Sequence, residues 1–376
     1  MQTPGSPASG RITGLPDIGQ TVIDADLEDF RMTSAGLGDF ISQWTPGRRT
    51  DFSGFAKGMT FTVDAKGSGP LNKLDIDAEI TADDGRMNAS VSIEDILSKG
   101  SPIGISGQVE TDDLDLGKVI GTEMLGPVTL RTGMHAHIGT GDLPSDVRID
   151  SLRVQRLHFN NYDYTNIAAV GKLSSDSFDG RIICNDPNLN FMFQGIFALS
   201  AKTRNARYKF FANLGHADLN ALHIDKRGIS RVDLRASADF TKTGKGDLMG
   251  KIDIADLRLE NRLGKHDIGD ISLTSYSNDN TFTVRLDSEF ANGKYVGSAP
   301  VTTFISDLKN ITVKKELPSL FEDASYTWDG NSYNINFRCT NSLDLLTFIM
   351  PGLYIDEGTS VNASLSDKGN FKADIS

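Results

Sequence analysis

The residues of this 376-residue chain that could do chemistry are few and scattered. His135-Ala136-His137 sets two imidazoles on one face of a strand, a spacing that some metal sites use. No cysteine, aspartate or third histidine converges on them in the sequence, so the pair reads as part of a polar strand face. Asp75, Asp77 and Glu79 alternate along LDIDAE, which would suit calcium only within an Asp-x-Asp-x-Asp-Gly loop; without one they read as a solvated outer face. Cys184 and Cys339 lie far apart and outside any C-x-x-C spacing, which indicates neither zinc nor a redox pair, and each reads as a small apolar residue. There is no G-x-S-x-G elbow, no P-loop and no G-x-G-x-x-G following a strand, so hydrolase, NTPase and dinucleotide readings lack their anchoring residues. The expectation is a protein that is not an enzyme, with no catalytic residue, metal or cofactor.

Bulk properties narrow the partners. A formal net charge of -12 repels polyanions and makes nucleic acid an improbable ligand. With 38% hydrophobic residues the chain can bury apolar surface, so global disorder is not expected. No apolar run reaches the length of a membrane span; LDLLTFIMPGLYI, the longest, reads as a helical turn ended by Pro351-Gly352. The start, MQTPGSPASGRITG, has no basic segment followed by an apolar one and reads as a linker or cut end, the expectation being an internal piece of something longer.

The elements that would have to position any site are strands. Apolar and polar residues alternate in TFTVRLDSEF (Phe282, Val284, Leu286), LDIDAEITA, VDLRASADF and SYNINFRC, the period of a strand with one apolar and one polar face. Asp84-Gly85, Asp179-Gly180, Asn292-Gly293, Asp329-Gly330 and Lys368-Gly369 predict hairpin turns, since both central residues of a type I′ turn need positive φ. A mostly antiparallel meander follows, and no long amphipathic helix is visible to make a βαβ fold.

The meander is interrupted in a repeated way. FFANLGHADLNALHID passes from an apolar strand to Asp218-Leu219-x-x-Leu222, the spacing of one helical turn with its leucines together. Asp115-Leu116-x-x-Val119 and Asp344-Leu345-x-x-Phe348 have the same form, and SAGLGDFIS a looser one, in which Ser34 caps a turn carrying Leu37, Phe40 and Ile41. About five strands fit between interruptions. Strands with one apolar face need that face covered by another sheet, by the same sheet curled on itself, or by a ligand. An apolar turn at the end of a run of strands would plug the rim of that face. The division expected is a linker at 1–10 and groove repeats over 11–121, 122–225 and 226–376, all in one continuous sheet.

Several stretches resemble the periplasmic region of TamB-like proteins of the AsmA-like superfamily, in the form found in Bacteroidota. They are GRITGLPD (10–17), TSAGLGDFI (33–41), GQVETDDLDLGKVIG (107–121), YDYTNIAAVGKLSSDSFDGRIICNDPNLNFMFQG (162–195), ANLGHADLNAL (212–222) and NSLDLLTFIMPGLYIDEGTSVNASL (341–365). The resemblance implies an all-β, elongated, curled antiparallel sheet, a taco-like repeating β-groove with short apolar helical turns between units. It further implies a periplasmic setting, anchorage of the full-length protein in the inner membrane, and a role in phospholipid transport and outer-membrane biogenesis. The partners it implies are phospholipid acyl chains and, through regions not in this sequence, an outer-membrane protein of the Omp85 family. The expected groove lining is Ile76, Ile80, Ile105, Val109, Leu130, Met134, Phe191, Phe193, Phe210, Leu234, Ala236, Phe282, Val284, Leu286, Ile335 and Phe337. Leu116, Val119, Leu219, Leu222, Leu345 and Phe348 are the expected apolar turns.

Two other roles compete. An open sheet has edges that could template strands of an unfolded outer-membrane protein. A glycan-binding β-module would want clustered exposed aromatics beside carboxylates, and the only two tryptophans, Trp44 and Trp328, lie far apart in sequence.

Overall fold

In a computed structural model, residues 8–15, 17–33, 59–95, 102–138, 144–199, 206–226, 231–242, 248–308, 330–341, 345 and 354–376 are described. The expectation of an all-β fold is borne out: twenty strands form one open antiparallel sheet, and the described helices are short. The chain divides into two compact units, Met1–Met192 and Phe193–Ser376.

The first unit holds β1 (Ala8–Thr13), β2 (Val22–Thr33), β3 (Thr60–Pro70), β4 (Lys73–Ala82), β5 (Gly85–Glu94), β6 (Ile103–Asp115), β7 (Leu125–Ile138), β8 (Pro144–Phe159), β9 (Tyr162–Ser174) and β10 (Ser177–Asp186). Each strand pairs antiparallel with its sequence neighbours, as a chain dominated by local hairpins must. β1 begins at Ala8, inside the stretch expected as a linker. A five-residue helix α1 (Leu116–Ile120) joins β6 to β7. β11 (Leu189–Ala198) spans the boundary, and the second unit continues with β12 (Ala206–Ala217), β13 (Arg231–Lys242), β14 (Leu248–Asn261), β15 (Gly264–Asn278), β16 (Thr281–Ser288), β17 (Ala291–Gly297), helix α2 (Val301–Leu308), β18 (Tyr333–Cys339), β19 (Ser360–Leu365) and β20 (Phe371–Ile375).

Two predicted turns are corrected. Asp179-Gly180 lies inside β10 and Asn292-Gly293 inside β17. A Cβ on Gly180 would stand 2.3 Å from the Val170 carbonyl oxygen, so that glycine serves the close approach of two backbones. The two-residue turns with positive φ at both positions are instead Asn160-Asn161 (51° and 62°) and Asp279-Asn280 (45° and 60°), because Asn and Asp tolerate the left-handed region. The turn before Gly85 occupies Asp83 and Asp84, and Gly369 turns at φ 73°. Asp329 lies outside the described residues.

Four Asp or Asn residues inside strands are left-handed: Asp29 on β2, Asp113 on β6, Asn166 on β9 and Asp256 on β14, with φ from 48° to 54°. On β2, β6 and β14 they coincide with register shifts, and neighbouring strands contribute acceptors: the Asp29 amide donates to Asp64 Oδ1 (2.8 Å) and the Asp256 amide to Asp270 Oδ1 (3.0 Å). A bulge bends a strand and strengthens its twist while returning the alternation to the same face beyond it.

Candidate apolar trough

Register assigns the faces. Residues directly opposite in an antiparallel ladder project to one side, so a chain of partners traces a row across the sheet. In the first unit, Gly67, Ile76, Val91, Gly107, Met134, Ile149, Gly171 and Gly180 form one such row across eight strands. The adjoining rows contain Val109, then Ile80 with Leu130, and on the other side Ile105. Ile76, Ile80, Ile105, Val109, Leu130 and Met134 therefore share one face.

The opposite face is polar. Asp75 pairs with Ser92, Asp77 with Ser90 and Glu79 with Asn88, each exposed except the half-buried Ser92. Ser90 Oγ donates to Asp77 (2.5 Å). His135 and His137 lie on this face against Asp150 (3.0 Å) and Asp146 (3.5 Å). Such exposed pairs add about 0–1 kcal/mol each, so their effect is to keep this face wetted. Two shallow depressions, about 720 and 520 Å³, open on it and are lined chiefly by Asp, Glu, Ser, Asn and Gln. Among the described residues no group of three His, Cys, Asp or Glu could hold a metal ion.

In the second unit the row Phe210, Ala238, Ile252, Leu273, Leu286, Gly293, Phe337, Val361 and Ile375 crosses nine strands without a polar side chain. Of these only Ala238 is buried; Ile375 on the edge strand is exposed and the rest are half-buried. Ala236, Leu234, Val284, Ile335 and Phe282 lie on the same face in flanking rows. Phe193 is buried and its ring lies 5.3 Å from that of Phe210, with Phe191 half-buried two residues earlier on β11. Of the sixteen expected lining residues, Phe193 is the one that is fully buried; a closed core would bury most of them.

Full burial is found where apolar turns cover this face. In α1, Asp115 caps the helix by accepting from the Lys118 amide (3.0 Å), Gly121 ends it at φ 73°, and Val119 packs on the cluster of Met59, Phe61 and Ala82. Leu116 is half-buried. The Asp218 segment is a hydrogen-bonded turn and not a helix: the Leu222 amide donates to the Asp218 carbonyl (2.9 Å), while Asp218 Oδ1 accepts from the amides of Asn220 (3.1 Å) and Ala221 (2.9 Å). Leu222 is 0% exposed, and Leu219 and Leu345 pack against Val232, Leu259 and Ile268. Phe348 and the Ser34 turn lie outside the described residues. The turns follow β6 and β12, and Leu345 follows β18, with six strands between successive ones where about five were expected.

Sequence reasoning missed a third cover. In α2, Phe304 packs into Tyr295, Tyr333 and Leu365, and Val301 packs beside it. Asp307, itself buried, accepts from the Tyr333 hydroxyl and from Asn331 Nδ2 (3.0 Å), and the Tyr295 hydroxyl donates to the Ala299 carbonyl. Burial, with the Asp307 charge beside it, pushes both tyrosine hydroxyls far above their ordinary range. The available signal was Pro300 followed by apolar residues at 301, 304, 305 and 308.

A second buried carboxylate, Asp186, closes the end of β9 and β10. Its oxygens accept from the Tyr162 hydroxyl (2.5 Å), the Asn188 amide (2.9 Å) and both the amide and hydroxyl of Thr165 (2.9 Å each). Burial alone would raise its pKa, but these four bonds outweigh it and hold Asp186 below the usual carboxylate value, while Tyr162 is pushed up to about 12 by burial and by Asp186. Every acceptor site is used within the fold, so this is a structural clasp. No family model, curated protein or solved structure matches the chain.

Proposed function

We propose that this chain is a non-enzymatic segment that shields phospholipid acyl chains along its apolar face as they cross the water between two membranes. The observation that supports it most is the nine-strand row from Phe210 to Ile375, apolar throughout, with none of its residues in the clusters around Ile268 or Phe304. An acyl chain exposed to water loses about 0.8 kcal/mol per methylene, so it does not leave a bilayer unaided at useful rates. A half-open aliphatic surface returns that burial without demanding a particular chain shape. Headgroups stay in water, so no polar pocket is required, and the rows run across the strands, which is the direction in which a meander grows.

The setting comes from the resemblance to TamB-like proteins: a periplasmic bridge, held to the inner membrane by other parts of the full-length protein and engaging an outer-membrane partner. Nothing in the residues reads as an engine, so the direction of movement would be set elsewhere.

Site-specific photocrosslinking in cells tests this, with the probe at Leu286 in the row and at Arg285 on the opposite, exposed face. Lipid adducts at Leu286 and not at Arg285 are expected. Adducts at neither, with Leu286 protected from solvent in the purified protein, would make this face a closed core and turn the chain into a scaffold.

A further inference from the structure

Along the nine-strand row the cover is uneven. On β17 burial alternates within a single face: Ala291 is 0% exposed, Gly293 is half-buried, and Tyr295 is 5% exposed. On β18 the buried ends lie farther apart, Cys339 at 1% and Tyr333 at 3%, with Phe337 and Ile335 half-buried between them. One shoulder of this dip is held by α2 through Phe304, which stacks edge-on against Tyr333 with ring centroids 5.1 Å apart. The other shoulder is the pair Ala291 and Cys339, which face each other in the ladder.

We infer that Gly293 is the floor of a constriction that admits one acyl chain at a time, with Phe304 setting its width. Same-face neighbours along a strand stand roughly 6.7 Å apart, so on β17 the two buried shoulders lie only about 13 Å apart, centre to centre, with Gly293 alone open between them; on β18 the gap widens by one such neighbour. Glycine at the narrowest point adds depth where a side chain would fill it. Its φ lies outside the left-handed range, and a Cβ would meet Phe337 Cδ2 at 3.4 Å and Leu286 Cβ at 3.8 Å, both ordinary contacts. Backbone geometry therefore does not require glycine there, and the space it leaves open is the feature to be explained. This inference rests on the acyl-chain reading proposed above.

The test uses the purified full chain and a diazirine-bearing palmitate as probe, with adduct positions mapped by mass spectrometry. Wild-type protein should be labelled along the row on both sides of β17, at Ile252 and Leu273 and at Phe337 and Val361. Gly293→Leu should lose labelling at Phe337 while keeping it at Ile252, with an unchanged thermal melt. Phe304→Ala should carry more probe per chain than wild type; because it removes a buried ring and could loosen α2, the glycine variant is the primary readout. Labelling of Phe337 that survives in Gly293→Leu would overturn the constriction and leave the acyl-chain reading standing. A folded wild-type protein that takes up no label anywhere on the row would overturn both.

Discussion

Leu273 of β15 stands directly opposite Leu286 of β16 on the apolar face, and both are only half-buried. Two leucines facing each other at the middle of a nine-strand row would be expected to lie deep in a core. Their exposure distinguishes a trough from a sandwich, and it has a thermodynamic consequence. Leu286→Ala should cost less than about 2 kcal/mol, because part of the side chain that is removed is already in contact with water. Leu222→Ala, at a position with 0% exposure, should cost about 2–5 kcal/mol. Urea melts of both variants check this; equal costs would mean that the face is covered in solution.

The two buried clasps make opposite pH predictions. Tyr333 has its pKa raised above the ordinary 10.0, so its contribution is fully present below pH 10 and is lost as pH rises beyond it. Asp186 has its pKa lowered from 3.8, so its contribution is present above that value and is lost as pH falls below it. Thermal melts across pH should therefore show an alkaline loss that Tyr333→Phe reduces and an acid loss that Asp186→Asn reduces. Asp186→Asn should itself cost about 1–3 kcal/mol at neutral pH, since buried donors lose a charged acceptor.

The alternation of apolar and polar residues carried the strands, and with them the face: Ile76, Ile80, Ile105, Val109, Leu130 and Met134 fall on one side because a period of two tolerates no other arrangement once register is kept. The Asp-Leu-x-x turns were legible because a capping aspartate and two leucines one turn apart leave a local trace. Turn positions were less so. Asn292-Gly293 has the composition of a hairpin tip, yet its glycine answers to Phe337 on β18, a contact from distant sequence that no local signal reports. Asp307 was invisible for the same reason: its role depends on Tyr333 and Asn331, which reach it only after β17 and β18 have paired. The extent of cover over the trough was likewise beyond the sequence, since alternation reports which face is apolar and not what lies against it.

Asn166 tests the left-handed positions. Its φ of 54° is left-handed, and its side chain makes only one long bond, to the Asn185 carbonyl (3.5 Å). Asn166→Gly should leave stability unchanged or slightly raised, and Asn166→Val should lower it by about 1–2 kcal/mol, the added strain of a β-branched side chain in that region. Equal effects from the two substitutions would mean that β9 can leave the left-handed conformation at this position.

The caps of the plugging turns supply the last test. Asp115 Oδ1 holds the Lys118 amide and Asp218 Oδ1 holds two amides, so each aspartate satisfies donors that a turn this short cannot satisfy itself. Asp115→Ala and Asp218→Ala should each cost about 0.5–2 kcal/mol, and Asn at either position should restore most of it. If the turns exist to seal the end of the apolar face, the effect should extend past stability. Loosening the 218–226 turn frees Leu219 from Val232 and Leu259, so hydrogen exchange should rise at the amides of β13 and β14 next to that cluster while those of β19 stay protected. Exchange confined to residues 218–226 would show a turn that merely connects two strands, and would remove the plugging role from the account of this trough.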